Sequence, residues 1–331
     1  MVHYFFTKKS KQLLIFSVIS LIAILFLARA VNWQEAGHIF LAGVSAPSLL
    51  LFSFMALAVA LTYGFRWRLL LDRRLPHNTS LIASVLCLGG NMFLPARGGD
   101  LLRVHYSHVF AAISHAEIVS RLFIEKVIDL ITIIAVGLLA MVLLRSPEVS
   151  AYSSILVIFI VTALTAVFIA VILIRYFHEF LLRSLRPAFK FVGRTVFFER
   201  HITHLIQDAS RNLTVRTMFL PSILTLLMWL SVYAWSYILA ARFVGVTLSY
   251  QESLLILFAG ALGLMLPAAP SGVGTFHASV VSAFIFLGRS PTEGLLVATA
   301  VHLLFFVAYV VPAAILYGRW HLTKKASSQF E

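Results

Sequence analysis

Charge is scarce in this sequence: 13 Asp and Glu in 331 residues, with charged residues of either sign making up only 12% of the chain. Soluble domains carry about 25% charged residues, so no water-soluble fold of this length fits. The single cysteine, Cys87, excludes an intrachain disulfide and reads as a small core residue in an apolar run. No Gly-Lys pair occurs, which removes the phosphate-cradling P-loop and with it ATP-driven transport by this chain alone. Nucleophile-elbow, kinase and zinc-protease patterns are missing too. His105 with His108, and His201 with His204, have helical spacing but no acidic or cysteine partners, so neither a metal site nor a cofactor is expected.

What is abundant is apolar surface: 60% of the residues are hydrophobic and the mean hydropathy is +0.95. The apolar residues arrive in blocks of roughly 16 to 26, where a helix crossing the hydrocarbon core needs about 20. The expected fold class is therefore all-α, a polytopic integral membrane protein with six to nine membrane segments.

The net charge of +13 then reads as orientation rather than nucleic-acid binding. Lys8, Lys9 and Lys11 precede a first apolar stretch, Leu13 to Ala28, read as an uncleaved anchor although Ala28-Arg29-Ala30 imitates a cleavage site. Further spans are expected at about Pro47 to Gly64, into Leu144 from a charged helix start at His115, at Tyr152 to Ile174, at Thr217 to Ala241, and at Leu295 to Gly318. The polar stretch 175–216 holds eight Lys and Arg and reads as a cytoplasmic loop of one or two interfacial amphipathic helices. This scheme leaves Arg29, Arg145, Arg242 and Arg289 outside and the other 22 of 26 basic residues inside or in a hairpin entered from inside. Both termini are then cytoplasmic, in a plasma membrane such as a bacterial inner membrane.

Two apolar stretches are broken in their middles. Thr79 to Ala111 is interrupted at Gly89-Gly90-Asn91, Pro95 and Gly98-Gly99, and Leu254 to Gly288 at Pro267, Pro270, Gly272 and Gly274. Pro lacks an amide hydrogen and Gly tolerates unusual dihedrals, so both end helices; each stretch reads as a re-entrant hairpin. Gly90-Asn91-Met92-Phe93-Leu94-Pro95-Ala96 resembles Gly263-Leu264-Met265-Leu266-Pro267-Ala268, which suggests a repeat of residues 1–145 in 146–331. Three crossings per half would invert the second copy, an arrangement typical of transporters with a site near the membrane midplane. Helices starting near Asp100 and Thr275 would aim free amides and a positive dipole end at the protein centre, which suits an anion.

Ionised groups in such hairpins must line water, pair, or meet a charged ligand. The expected phosphate site comprises Arg97, Arg103 and the backbone of Gly98 and Gly99, with Asp100 orienting an arginine or capping the helix. Arg121, Glu125 and Asp129 fall four apart on one helix face; Glu125 is expected to pair with Arg121, and Asp129 with Arg97 or Arg103. The same residues also admit a purely structural ion network. The second hairpin has no ionisable acid or base between Glu252 and Arg289 other than His277, and its polarity comes from Ser271, Thr275, His277 and Ser279. His302 in the last span reads as a core histidine or a proton relay.

These residues carry a resemblance. Asn91-Met92-Phe93-Leu94-Pro95-Ala96-Arg97-Gly98-Gly99-Asp100-Leu101-Leu102-Arg103, Arg121 to Asp129, and Leu266-Pro267-Ala268-Ala269-Pro270-Ser271-Gly272-Val273-Gly274-Thr275-Phe276-His277 resemble, in order and spacing, the flippase-like family that includes the transmembrane region of lysylphosphatidylglycerol synthases. The resemblance implies a membrane domain that moves a polar lipid, an anionic phospholipid or a lipid-linked sugar, between leaflets. Asp100 stands where such motifs often have Glu, and His277 where many have Glu. The soluble aminoacyl-transferring domain that some relatives append is not expected, since the chain ends at Glu331. Two other expectations stand beside a flippase: a membrane transferase or hydrolase using Asp100, Glu125 or Asp129 as base, and a non-catalytic accessory subunit of a cell-envelope lipid pathway.

Overall fold

The computed structural model describes residues 46–94, 97–144, 147–266 and 270–327. The expected first span and the prolines Pro95 and Pro267 lie outside them, as does the Pro270 side chain. Every regular element among the described residues is a helix: α1 (Ala46–Leu70), α2 (His77–Phe93), α3 (Gly98–Ala111), α4 (His115–Leu143), α5 (Pro147–Tyr176), α6 (His178–Phe191), α7 (195–212), α8 (Val215–Phe243), α9 (Tyr250–Met265), α10 (Thr275–Phe286) and α11 (Pro291–Ser327). Five are long and apolar enough to cross a membrane: α1, α4, the Val157–Tyr176 part of α5, α8, and α11 as far as Leu322. They coincide with the second to sixth expected spans, and the protein is an all-α polytopic membrane protein.

The other apolar helices are too short to cross. At 1.5 Å per residue α2, α3, α9 and α10 reach about 18 to 26 Å, against a hydrocarbon core of about 30 Å. They pair as two hairpins, α2 with α3 and α9 with α10. Each turns where the chain adopts positive φ: Arg97 (57°) in the first, Ser271 (64°), Gly272 (66°) and Gly274 (92°) in the second. In lipid no hydrophobic force draws helices together, so close packing must do it. A Cβ on Gly99 would lie 2.1 Å from the Cys87 carbonyl, and one on Gly263 would lie 2.7 Å from the Thr275 carbonyl. Both glycines let the arms of their hairpin touch backbone to backbone. Gly98 and Gly99, expected as a phosphate cradle, thus have a packing role in the hairpin: a Cβ on Gly98 would lie 2.8 Å from the Leu94 side chain.

The two halves use the same contacts. Hairpin α2–α3 packs on α1 and α4 and crosses to α11; hairpin α9–α10 packs on α8 and α11 and crosses to α4. Their bases are clamped alike. Arg74 reaches Glu117 and Arg121 reaches Asp72 at 2.7 Å, joining the chain before α2 to the start of α4. Arg289 reaches Glu252 at 3.1 Å and Glu293 at 2.9 Å, joining the starts of α9 and α11. Ser249 and Glu252 form a capping box that starts α9, and Thr214 with Thr217 does the same for α8.

One irregularity positions the site. Within α8, Met228–Tyr233 winds as a π-helix, a local widening frequent at functional sites, and turns Trp229 and Tyr233 toward the protein centre. The basic stretch holds two helices, α6 and α7. The latter lies on α4 and α5, tied by Arg175 donating to the Ser210 carbonyl at 2.5 Å.

Candidate functional site

A cavity of about 520 Å³ lies between the two hairpin turns. Asn91, Met92, Leu94 and Arg97 bound it from the first hairpin; Leu264, Met265, Ser271 and Gly272 bound it from the second. The remaining wall is largely aromatic, with Tyr63, Trp229, Tyr233, Phe305 and Tyr309, and its charged members are Arg97, Lys126 and Asp129. The two hairpins touch where the Ser271 hydroxyl lies 3.2 Å from Met92 Sδ.

Beside the cavity runs a buried ion network. Arg66 of α1 is fully buried and donates to Glu125 Oε1 at 2.8 Å, Asp129 Oδ1 at 2.5 Å and Thr225 Oγ1 at 2.8 Å. Arg103 of α3, also fully buried, donates to the same Glu125 oxygen at 2.9 Å and approaches Asp100 at 3.8 Å. Each guanidinium faces an aromatic ring, Arg66 over Tyr63 at 4.5 Å and Arg103 over Trp67 at 4.1 Å. Trp67 is held in turn by Nε1 donating to Ser107 at 2.9 Å. A desolvated ion costs several kcal/mol unless paired at good geometry, and the forked guanidinium reaching two carboxylates supplies it.

Asp100 is the hub nearest the cavity. It receives Lys126 Nζ at 3.1 Å, Cys87 Sγ at 3.1 Å and Asn91 Nδ2 at 3.3 Å, with Arg97 Nε 3.9 Å away. Asn91 Oδ1 accepts the Asp100 amide hydrogen at 3.2 Å, so a side chain of α2 caps the first turn of α3. That amide is thus not offered to a ligand. Arg66, Arg97, Arg103 and Lys126 face Asp100, Glu125 and Asp129, which leaves four cations against three carboxylates. The weakest-held cation is Arg97, 56% exposed and at the cavity edge.

The expected pairings change accordingly. Asp129 pairs with Arg66, not with Arg97 or Arg103, because the long guanidinium arm of Arg66 on α1 reaches across to the α4 face that carries Glu125 and Asp129. Glu125 pairs with Arg66 and Arg103 rather than with Arg121, whose guanidinium is drawn to Asp72 and Glu117 at the hairpin base. Arg103 does not line the cavity: its side chain is fully enclosed between Trp67, Glu125 and Asp100. Of the second-hairpin residues, Ser271 and Gly272 line the cavity, Gly274 precedes α10, and Thr275 is buried with its hydroxyl on the Gly272 carbonyl at 3.1 Å. His277 stacks behind His302, which does line it.

Sequence reasoning overlooked Arg66, Lys126, Tyr63 and Tyr233. Arg66 stands with Arg68, Arg73 and Arg74 at the end of a span, where a basic residue reads as an orienting charge; its spacing of three from Tyr63 on one helix face is the available signal. Lys126 lies inside the segment from Arg121 to Asp129 that carries the resemblance, between Glu125 and Asp129, though the acid it meets is Asp100 of α3.

No curated protein matches the chain at a significant level. A family model described as the lysylphosphatidylglycerol synthase TM region matches residues 13–313, which takes in both hairpins, the ion network and all five described spans as far as the middle of α11. On that match the chain belongs to the lysylphosphatidylglycerol synthase transmembrane-region family.

Proposed function

We propose that the protein moves an anionic polar lipid between the leaflets of a plasma membrane, holding the headgroup in the cavity between the two hairpins. The observation that carries this reading is the cavity itself, bounded by both turns, with a surplus cation, Arg97, at its edge. Arg97 and Lys126 would hold the headgroup phosphate, and the aromatic wall would receive glycerol, sugar or the first methylenes of the tails. Asn91, Asp100 and the buried pairs of Arg66, Arg103, Glu125 and Asp129 keep the two cations in place.

The mirrored contacts of the two halves support an inverted repeat of 1–145 in 146–331, rocking about the cavity to open it to either side. The basic stretch 175–216 and both termini would face the cytoplasm. The carboxylates suited to a general base are each engaged: Asp100 by Lys126, Glu125 by Arg66 and Arg103, Asp129 by Arg66. That engagement favours transport over transfer chemistry.

The test is headgroup translocation in liposomes holding the purified protein and a fluorescent phosphatidylglycerol. Wild type should speed the exchange of the probe between leaflets. The double variant Arg97→Ala with Lys126→Ala should slow it by at least tenfold, and equal rates in both proteins would overturn the reading.

A further inference from the structure

Between Glu252 and Arg289 the second hairpin contains no Asp, Glu, Lys or Arg, yet its Ser271 and His277 meet His302 of α11 at the cavity. Ser271 Oγ lies 2.5 Å from His302 Nε2, and the His277 ring stacks on that of His302 with centroids 5.2 Å apart and planes 22° from parallel. Phe276 packs its edge on His302 at 5.5 Å. The Nδ1 atom of His277 is buried without a hydrogen-bonding partner. Ser271 is held at φ 64°, in the left-handed region that costs a non-glycine residue free energy. Its hydroxyl is thereby aimed at both α11 and the first hairpin, where it reaches Met92 Sδ at 3.2 Å.

We propose that His277, His302 and Ser271 form a proton-binding site that couples headgroup movement to a proton, one proton travelling with one anionic headgroup. This rests on the reading of the cavity as the headgroup site. Two imidazoles in contact bind one proton far more readily than two, because like charges at that spacing repel. An anion in the same cavity favours the imidazolium, and by reciprocity the proton raises the affinity for the anion.

The other titratable groups at the cavity do not compete for this role. From α4, Asp129 and Lys126 face it, each already in an ion pair, with Arg97 beside them before α3. From α1, α8 and α11 come the phenols of Tyr63, Tyr233, Tyr237 and Tyr309, and from α2 the Cys87 thiol; phenols and thiols are ordinarily neutral near pH 7. The α9 side chains at the cavity are apolar. Imidazole alone titrates naturally in the physiological range.

The serine transmits the state of the pair. Its single O–H can donate to a bare His302 Nε2 or to Met92 Sδ, but not to both. An imidazolium always presents Nε2–H, which makes the Ser271 oxygen the acceptor and turns its hydrogen to Met92 of the first hairpin. Proton binding thus exchanges a bond to α11 for a bond between the two hairpins.

The experiment uses the same liposomes under an imposed gradient of one pH unit, read as the steady-state distribution of fluorescent phosphatidylglycerol between leaflets. Wild type should accumulate the probe in one leaflet by up to about tenfold, the equivalent of one proton per lipid. His302→Asn and His277→Asn should return an even distribution. Because either variant could fail to fold, wild type in detergent is also titrated with phosphatidylglycerol in weakly buffered solution containing a pH dye, and should take up a proton as the lipid binds. A wild type that moves the probe yet distributes it evenly, or binds the lipid with no proton uptake, overturns the coupling while leaving transport standing. A wild type that moves no probe at all overturns the transport reading, and the coupling with it.

Discussion

Arg66 and Glu125, 59 residues apart in the chain, meet at 2.8 Å with both side chains shut off from solvent. The contact joins α1 to α4 at the level of the cavity, and because Arg103 shares the same carboxylate oxygen, α3 is drawn into the same joint. Three helices are thus locked by one carboxylate, and the cations nearest the cavity inherit their positions from it.

Replacing Arg66 by Met removes the cation that holds Asp129 and one of the two that hold Glu125, and leaves negative charge inside the bundle undercompensated. The expected loss is about 3–5 kcal/mol. Thermal unfolding in detergent should show a clear drop in Tm for Arg66→Met and almost none for Arg183→Ala, a change at an exposed position on α6.

The backbone contacts inside the hairpins make a second prediction. Gly99→Ala and Gly263→Ala each force a Cβ to within 2.1 Å and 2.6 Å of neighbouring atoms, respectively. Each should cost about 1–3 kcal/mol by overpacking and lower the yield of monodisperse protein in size-exclusion chromatography. Gly318→Ala, with no atom within 4 Å of the added Cβ, should behave as wild type.

Arg97 is the exposed cation of the cluster, so its removal should weaken anionic lipid without loosening the fold. Arg97→Ala should lower phosphatidylglycerol retention in native mass spectrometry by roughly tenfold, a loss of about 1.4 kcal/mol. Its Tm should stay near that of wild type, and Arg97→Lys should retain part of the binding through its point charge.

The clamp at the base of the second hairpin is partly open to solvent, its side chains 20% to 29% exposed, and its ion pairs contribute little to global stability, about 0–1 kcal/mol. Arg289→Ala should therefore leave Tm nearly unchanged. Its effect should be local, as faster amide hydrogen exchange at the starts of α9 and α11, where Glu252 and Glu293 lose their shared partner.

Much of this architecture is legible in the chain before any contact is known. The spans follow from apolar runs of sufficient length, and the hairpin turns from Pro and Gly within runs that would otherwise continue. The match of Gly90 and Asn91 with Gly263 and Leu264 foretells the common hairpin geometry, down to the glycine that lets the arms meet. The pairings were not legible. Helical spacing put Glu125 within reach of Arg121, but an i, i+4 neighbour on the same helix is only one of the cations within range once the bundle closes. Arg66 looked like its neighbours Arg68, Arg73 and Arg74 because orienting charges and network charges are the same residue type at the same distance from a span.

Composition and the placing of charge, proline and glycine along the chain determined the fold class, the five described spans and the two hairpins, because in lipid every backbone group must be satisfied within its own helix. Tertiary structure decided which cation meets which carboxylate, that Arg103 is enclosed while Arg97 faces the cavity, and that Ser271 touches His302 and Met92 at once. Those outcomes depend on which helices pack together, and ion pairing across 59 residues of chain is set by that packing rather than by any local preference.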